Sequence, residues 1–118
     1  MNFHFKKDEG MLIVKVCGDL DHHNISALRT AIDDHIFAIA PKGLVLDFSE
    51  LTLMDSSGIG LIMGRLRLME DIGSYVCVSG ASEPIKKIIE LSGLSKMIAL
   101  AESVRDGIKA LGSISKIS

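Results

Sequence analysis

Aromatic side chains are scarce in this sequence of 118 residues: they make up 4% of it, and tryptophan is absent. A core must then be assembled from Ile, Leu, Val, Met and Ala, and the 47% apolar content is enough to exclude general disorder. Cysteine is nearly missing. Cys17 and Cys77 each lie in apolar runs that read as strands, where a small buried thiol is ordinary, so no disulfide framework is expected and a reducing compartment fits. Neither sign of charge dominates: 13 basic and 15 acidic residues give a net charge of −2 and are scattered along the chain. Without a basic stripe to track a phosphate backbone, direct binding of nucleic acid is not expected.

Long apolar runs are also lacking. The stretches at 36–40 and 44–46 are separated by Pro41-Lys42-Gly43 and fall short of the ~20 residues a membrane span needs. The first eight residues lack the apolar centre of a signal peptide. No membrane association is expected, and the chain reads as cytoplasmic. No repeat, linker or low-complexity segment interrupts it, which implies one domain over 1–112 with a short flexible tail at 113–118.

What is present is an alternation of strand and helix signals. An apolar, β-branched run at 11–17 is bounded by turn residues and predicts a strand. An alternating segment at 3–6, separated from it by Asp8-Glu9-Gly10, predicts an antiparallel hairpin. After Asn24, read as an N-cap, Ile25, Leu28, Ile32, Ile36 and Ile39 recur at helical spacing. Pro41 and Gly43 stop that helix, and the run at 44–48 predicts a core strand of a parallel sheet. Ile59, Ile62, Met63, Leu66 and Met69 mark the inward stripe of a second helix, with Arg65, Arg67 and Glu70 elsewhere on the cylinder; Gly73 ends it. A strand at 75–78, a helix opened by Ser82-Glu83-Pro84 with Ile85, Ile88 and Ile89 inward, a short strand near 97–100 and a last helix through Val104, Ile108 and Leu111 complete the series. The order predicts an α/β fold: a small mixed β-sheet with a parallel centre and about four α-helices.

In such a sheet functional groups gather beyond the carboxyl ends of the parallel strands. Two segments qualify and should lie side by side: Gly18-Asp19-Leu20-Asp21-His22-His23-Asn24, and 47–57, which ends in Asp55-Ser56-Ser57-Gly58 at a helix start. One acceptor suffices to cap a helix, yet here Asp55, Ser56 and Ser57 stand in a row, followed by Gly58 and Gly60, which lower helix propensity. With Gly64 these glycines would leave one side of the helix low enough for another protein's backbone to approach, or Gly64 would serve packing. Leu61 and Leu68, outside the inward stripe, are either a partner patch or buried.

Together, Gly18-Asp19-Leu20-Asp21-His22-His23, Met54-Asp55-Ser56-Ser57-Gly58-Ile59-Gly60 and Ser92-Gly93-Leu94 resemble the STAS-domain anti-sigma factor antagonists of bacteria, over nearly the whole chain and most closely their sporulation branch. Asp19 stands where Glu is more usual and Ile59 where Leu is. The resemblance implies a STAS-like fold and a partner-switching cycle. The unmodified protein binds an anti-sigma factor that is also a serine kinase and so releases a sporulation sigma factor; the kinase phosphorylates the antagonist and a protein serine phosphatase reverses this. It carries the phosphorylation site to Ser56, where capping chemistry alone leaves Ser56 and Ser57 open, and makes Asp21, His22, His23, Asp55, Ser57, Gly58 and Gly60 the partner-binding set. The chain is then a substrate of kinase and phosphatase, not an enzyme, and needs no cofactor.

Other readings fit less well. Asp21-His22-His23 invites a metal site, but His4 and His35 are distant in sequence and further ligands lack room. A serine hydrolase would need a base and an oxyanion loop, and the pattern Gly-x-Ser-x-Gly is absent. A receiver-like domain phosphorylated on Asp47 at a strand end is the nearer alternative, although an acidic cluster after the first strand is missing and Lys15 and Lys96 do not fit. A STAS module regulating a target other than a sigma factor also stays open.

Overall fold

The computed structural model describes the backbone of residues 1–117 and side chains through residue 114. Its elements run β1 (Asn2–Asp8), β2 (Met11–Leu20), α1 (Ile25–Ile39), β3 (Gly43–Met54), α2 (Ser56–Asp71), β4 (Tyr75–Ser79), α3 (Glu83–Leu91), a 3-10 turn (Leu94–Lys96), β5 (Ala99–Ala101) and α4 (Val104–Ile117). The five strands pair in chain order, β1-β2-β3-β4-β5. Only β1 is antiparallel to its neighbour, so the sheet is mixed with a parallel centre, as expected.

Right-handed crossovers in a sheet whose strands advance in one direction deliver every connecting helix to the same face. The packing agrees. Alternate residues of the central strands, among them Leu12, Val14, Leu44, Leu46, Val76 and Val78, form one core with α1, α2 and α3. The intervening residues Met11, Ile13, Val45 and Cys77 meet Ile108 and Leu111 of α4 on the opposite face. A period of two along each strand thus feeds two cores, which is why these strands read as nearly continuous apolar runs.

Several boundaries differ from the expectations. The strands predicted at 11–17 and 44–48 continue to Leu20 and Met54, because β2 and β3 stay paired from Lys15↔Asp47 to Leu20↔Met54 through two register shifts. β4 accompanies β3 only as far as Asp47↔Ser79. Past that point β1 stays beside β2 as far as Asn2↔Cys17, and beyond it β2 and β3 project as a two-stranded ribbon. Along it Leu51 and Met54 are buried while Thr52 and Leu53 face out.

In α2 the inward stripe is rotated from the predicted one: Leu61 and Arg65 are buried, while Ile59 and Met63 are only partly so. Leu61 is therefore core and not a surface patch; Leu68 is half-buried. The rotation follows from α1 lying beside α2, where Arg65 Nε meets Asp33 Oδ1 at 2.9 Å. Ser82 caps α3 by position, but its hydroxyl makes no capping bond. Cys77 is buried, which pushes its thiol up to about 11, whereas Cys17 is only half-buried. α4 is continuous through Ile117, so the segment expected as a tail from 113 has helical backbone that far; Ser118 lies outside the described residues. Among the described residues no helix is long and apolar enough to cross a membrane.

Candidate functional site

The two predicted segments meet at the tip of the β2–β3 ribbon. Asp55 leaves β3 in an extended conformation, its N–H donating to Leu20 O at 3.2 Å, and becomes the N-cap of α2. Its carboxylate works in two directions. Oδ1 accepts from Ser57 N at 2.9 Å and from the Ser57 hydroxyl; Oδ2 accepts from His22 N at 3.2 Å and lies 3.4 Å from His22 Nδ1. The Ser57 hydroxyl and then the Ser57 N–H hold the Asp55 carboxyl down at about 2, with smaller help from His22. At neutral pH the helix start therefore carries a fixed negative charge already coordinated by its own amides.

The turn between β2 and α1 is equally well determined. Asp21 Oδ1 accepts from His23 N at 2.9 Å and Asn24 N at 3.2 Å. Asn24 does not cap α1 with its side chain as predicted; its Oδ1 instead accepts from Asp21 N at 3.0 Å and its Nδ2 donates to Asp19 O at 2.8 Å. Thr52 Oγ1 donates to Asp19 Oδ1 at 2.6 Å and ties the turn to β3. These bonds fix the backbone of His22 and His23 while both rings stay in solvent, tilted against each other with centroids 4.0 Å apart.

The two serines differ. Ser57 is half-buried and its hydroxyl is engaged by Asp55, whereas Ser56 is exposed and its hydroxyl has no hydrogen-bond partner among the described residues. The glycines differ too. Gly60 is exposed, and a Cβ there, as at Gly64, would meet nothing within 4 Å. Gly58 is buried, and a Cβ would overlap the Met54 side chain, so its role in the low surface expected of it is replaced by close packing beneath that surface.

Thr52 and Leu53 were not singled out from the sequence. Leu53 leaves an apolar side chain 65% exposed two residues before Asp55, and period-two alternation would have placed it inward with the buried Leu51, so the sequence carried no signal for its exposure. Asp47 stands apart from this site. It is buried within β3, which runs on past it to Met54, and its Oδ1 accepts from Ser49 N at 3.0 Å, so it does not stand at a strand end as a receiver-type acceptor would. His35 is stacked on Phe5, with ring centroids 3.7 Å apart. Among the described residues no three His, Cys, Asp or Glu side chains converge as a metal set would require.

Known proteins share this architecture. Residues 2–107 match the STAS domain family. The chain is 32% identical over 106 residues to the anti-sigma F factor antagonist of Paenibacillus polymyxa, covering 90% of this chain and 91% of that protein. The unphosphorylated form of the anti-sigma factor antagonist SpoIIAA superposes with a TM-score of 0.83 at 26% identity, over 95% of this chain and 97% of that one. The phosphorylated form of the Bacillus SpoIIAA gives 0.71 at 25% identity, over 99% and 100%. The strand order, the two joined turns and these likenesses agree: the chain belongs to the STAS-domain family, among the relatives of the anti-sigma factor antagonists.

Proposed function

We propose that this chain is an anti-sigma factor antagonist that works by partner switching. Unmodified, it docks through the ribbon tip on an anti-sigma factor with serine kinase activity and releases a sporulation sigma factor; phosphorylation of Ser56 by that kinase ends docking, and a protein serine phosphatase restores it. The protein acts in the cytoplasm as a substrate and regulator and performs no chemistry itself. The observation that carries this reading is the exposed, unpartnered hydroxyl of Ser56 beside the engaged hydroxyl of Ser57. A kinase needs a hydroxyl it can reach, and removing Ser57 from Asp55 would first break the helix cap.

Asp21, His22, His23, Asp55, Ser57 and Gly60 would frame the docking surface around Ser56, with Gly58 holding the helix start against β3. Phosphate adds about −1.5 to −2 charges beside Asp19, Asp21 and Asp55, turning a moderately acidic surface into a strongly acidic one. A partner that accepts the first pays repulsion and desolvation with the second. That SpoIIAA is known in both forms supports a modifiable site in a relative of similar fold. Incubation with a candidate anti-sigma factor kinase and ATP, followed by peptide mass mapping, tests the reading: label is expected on Ser56 and absent from Ser56→Ala. Label retained in that variant refutes the assignment.

A further inference from the structure

A phosphate on Ser56 meets a helix start with little left to offer it. Of the amides there, Asp55 N donates to Leu20 O, Ser57 N to Asp55 Oδ1 and Gly58 N to Asp55 O, which leaves the N–H of Ser56 itself as the one still open among these four. The Asp55 carboxylate already occupies the place an anion would take at the positive end of α2.

No lysine or arginine compensates. The sequence holds none at 16–28 or 43–64, the segments that build the site. Arg29, the first cation of α1, donates to Ser26, and Arg65, the first of α2, is buried with Asp33. On β3, Glu50 is paired with Lys15 at 2.5 Å. Besides the Met1 amino group, which lies beside Gly18 on β2, the ionisable side chains left around the ribbon tip are Asp19, Asp21, Asp55, His22 and His23. Three are acidic, and Asp55 stays ionised at neutral pH.

The two histidines are built in a way the fold does not require. Each contributes a backbone N–H, to Asp55 and to Asp21, which almost any residue would supply, while the imidazoles remain in solvent. Histidine is the side chain that gains charge between about pH 5 and 8. We infer that His22 and His23 are the counter-charge for a phosphate on Ser56: phosphorylation draws a proton onto this pair, and the imidazolium, tethered through His22 Nδ1 to Asp55, positions the phosphate against the cap. The inference rests on the proposed modification of Ser56.

The phosphorylated form binds more protons than the unmodified one, so stabilisation by the pair is present below the imidazole midpoint and lost as pH rises through it, and it weakens again where the phosphate takes its own second proton at about pH 6. The full chain, with phosphoserine installed at 56 by genetic encoding, is compared with the unmodified chain by NMR titration of labelled histidine side chains. The midpoint of His22, His23 or both is expected to move up by about one pH unit in the phosphorylated chain. The phosphorus resonance should titrate at lower pH than in the phosphorylated chain carrying His22→Gln and His23→Gln. Equal histidine midpoints in the two forms overturn the inference, and because both chains carry the native histidines this outcome is readable even if the double variant fails to fold. Since the phosphate is installed without a kinase, failure here is distinguishable from failure of the kinase to modify Ser56.

Discussion

Gly58 and Gly60 stand two positions apart at the start of α2, yet a methyl group has opposite consequences at them. At Gly58 it overlaps Met54, and overpacking of a core contact costs about 1–3 kcal/mol, more than the gain in helix propensity. At Gly60 it enters open space, where replacing glycine in a helix gains up to about 1 kcal/mol. Urea unfolding should show Gly58→Ala less stable and Gly60→Ala more stable than the parent. If a partner's backbone approaches over Gly60, the stabilised variant will bind its anti-sigma factor at least about tenfold more weakly, a loss of about 1.4 kcal/mol. Asp55 gives a second test at this scale. Its carboxyl is held at about 2, below the ~3.9 of an unfolded chain, so its contribution is present above about pH 4 and disappears as pH falls through 2. Thermal unfolding across that window should be less steeply dependent on pH in Asp55→Asn.

Between elements, the contact that sequence periodicity could not supply is Arg65 with Asp33. A helical wheel puts Arg65 off the apolar stripe, and only the flank of α1 explains its burial. Asp33→Ala leaves a buried guanidinium unpaired and should destabilise by about 2 kcal/mol in denaturant titration, below the value for fully enclosed pairs because Asp33 retains some exposure. Replacing both residues with apolar side chains should recover most of the loss. The same limit explains what else was legible. The stripe of Ile25, Leu28, Ile32 and Ile36 is local and was read directly, as were the stops at Gly73 and Gly93, both at positive φ. The ribbon ends of β2 and β3 were not, because Gly18, Asp19 and Ser49-Glu50 are turn residues by composition, and only pairing across the ladder, with its register shifts, keeps them extended. Site residues were legible as a neighbourhood; the division of labour between Ser56 and Ser57 required the Asp55 carboxylate to be seen turning toward one of them.

The whole molecule separates the proposed switch from its second core. Ile108 and Leu111 of α4 pack on Val45 and Cys77, on the face away from α1, α2 and α3. Leu111→Ala should cost about 2–5 kcal/mol, measurable as a lowered unfolding midpoint. Installing phosphoserine at 56, by contrast, breaks no bond made by that exposed hydroxyl. Amide resonances are expected to move at 19–24 and 52–60 and to stay in place in β5 and α4.

Strand order also has a bearing on synthesis. Because β1 to β5 pair in the sequence in which they leave the ribosome, each new strand finds its neighbour already made and no segment waits for a distant one. Every residue of the proposed docking surface lies at or before Gly60, so the segments that would form it are synthesised before β4, β5 and both later helices.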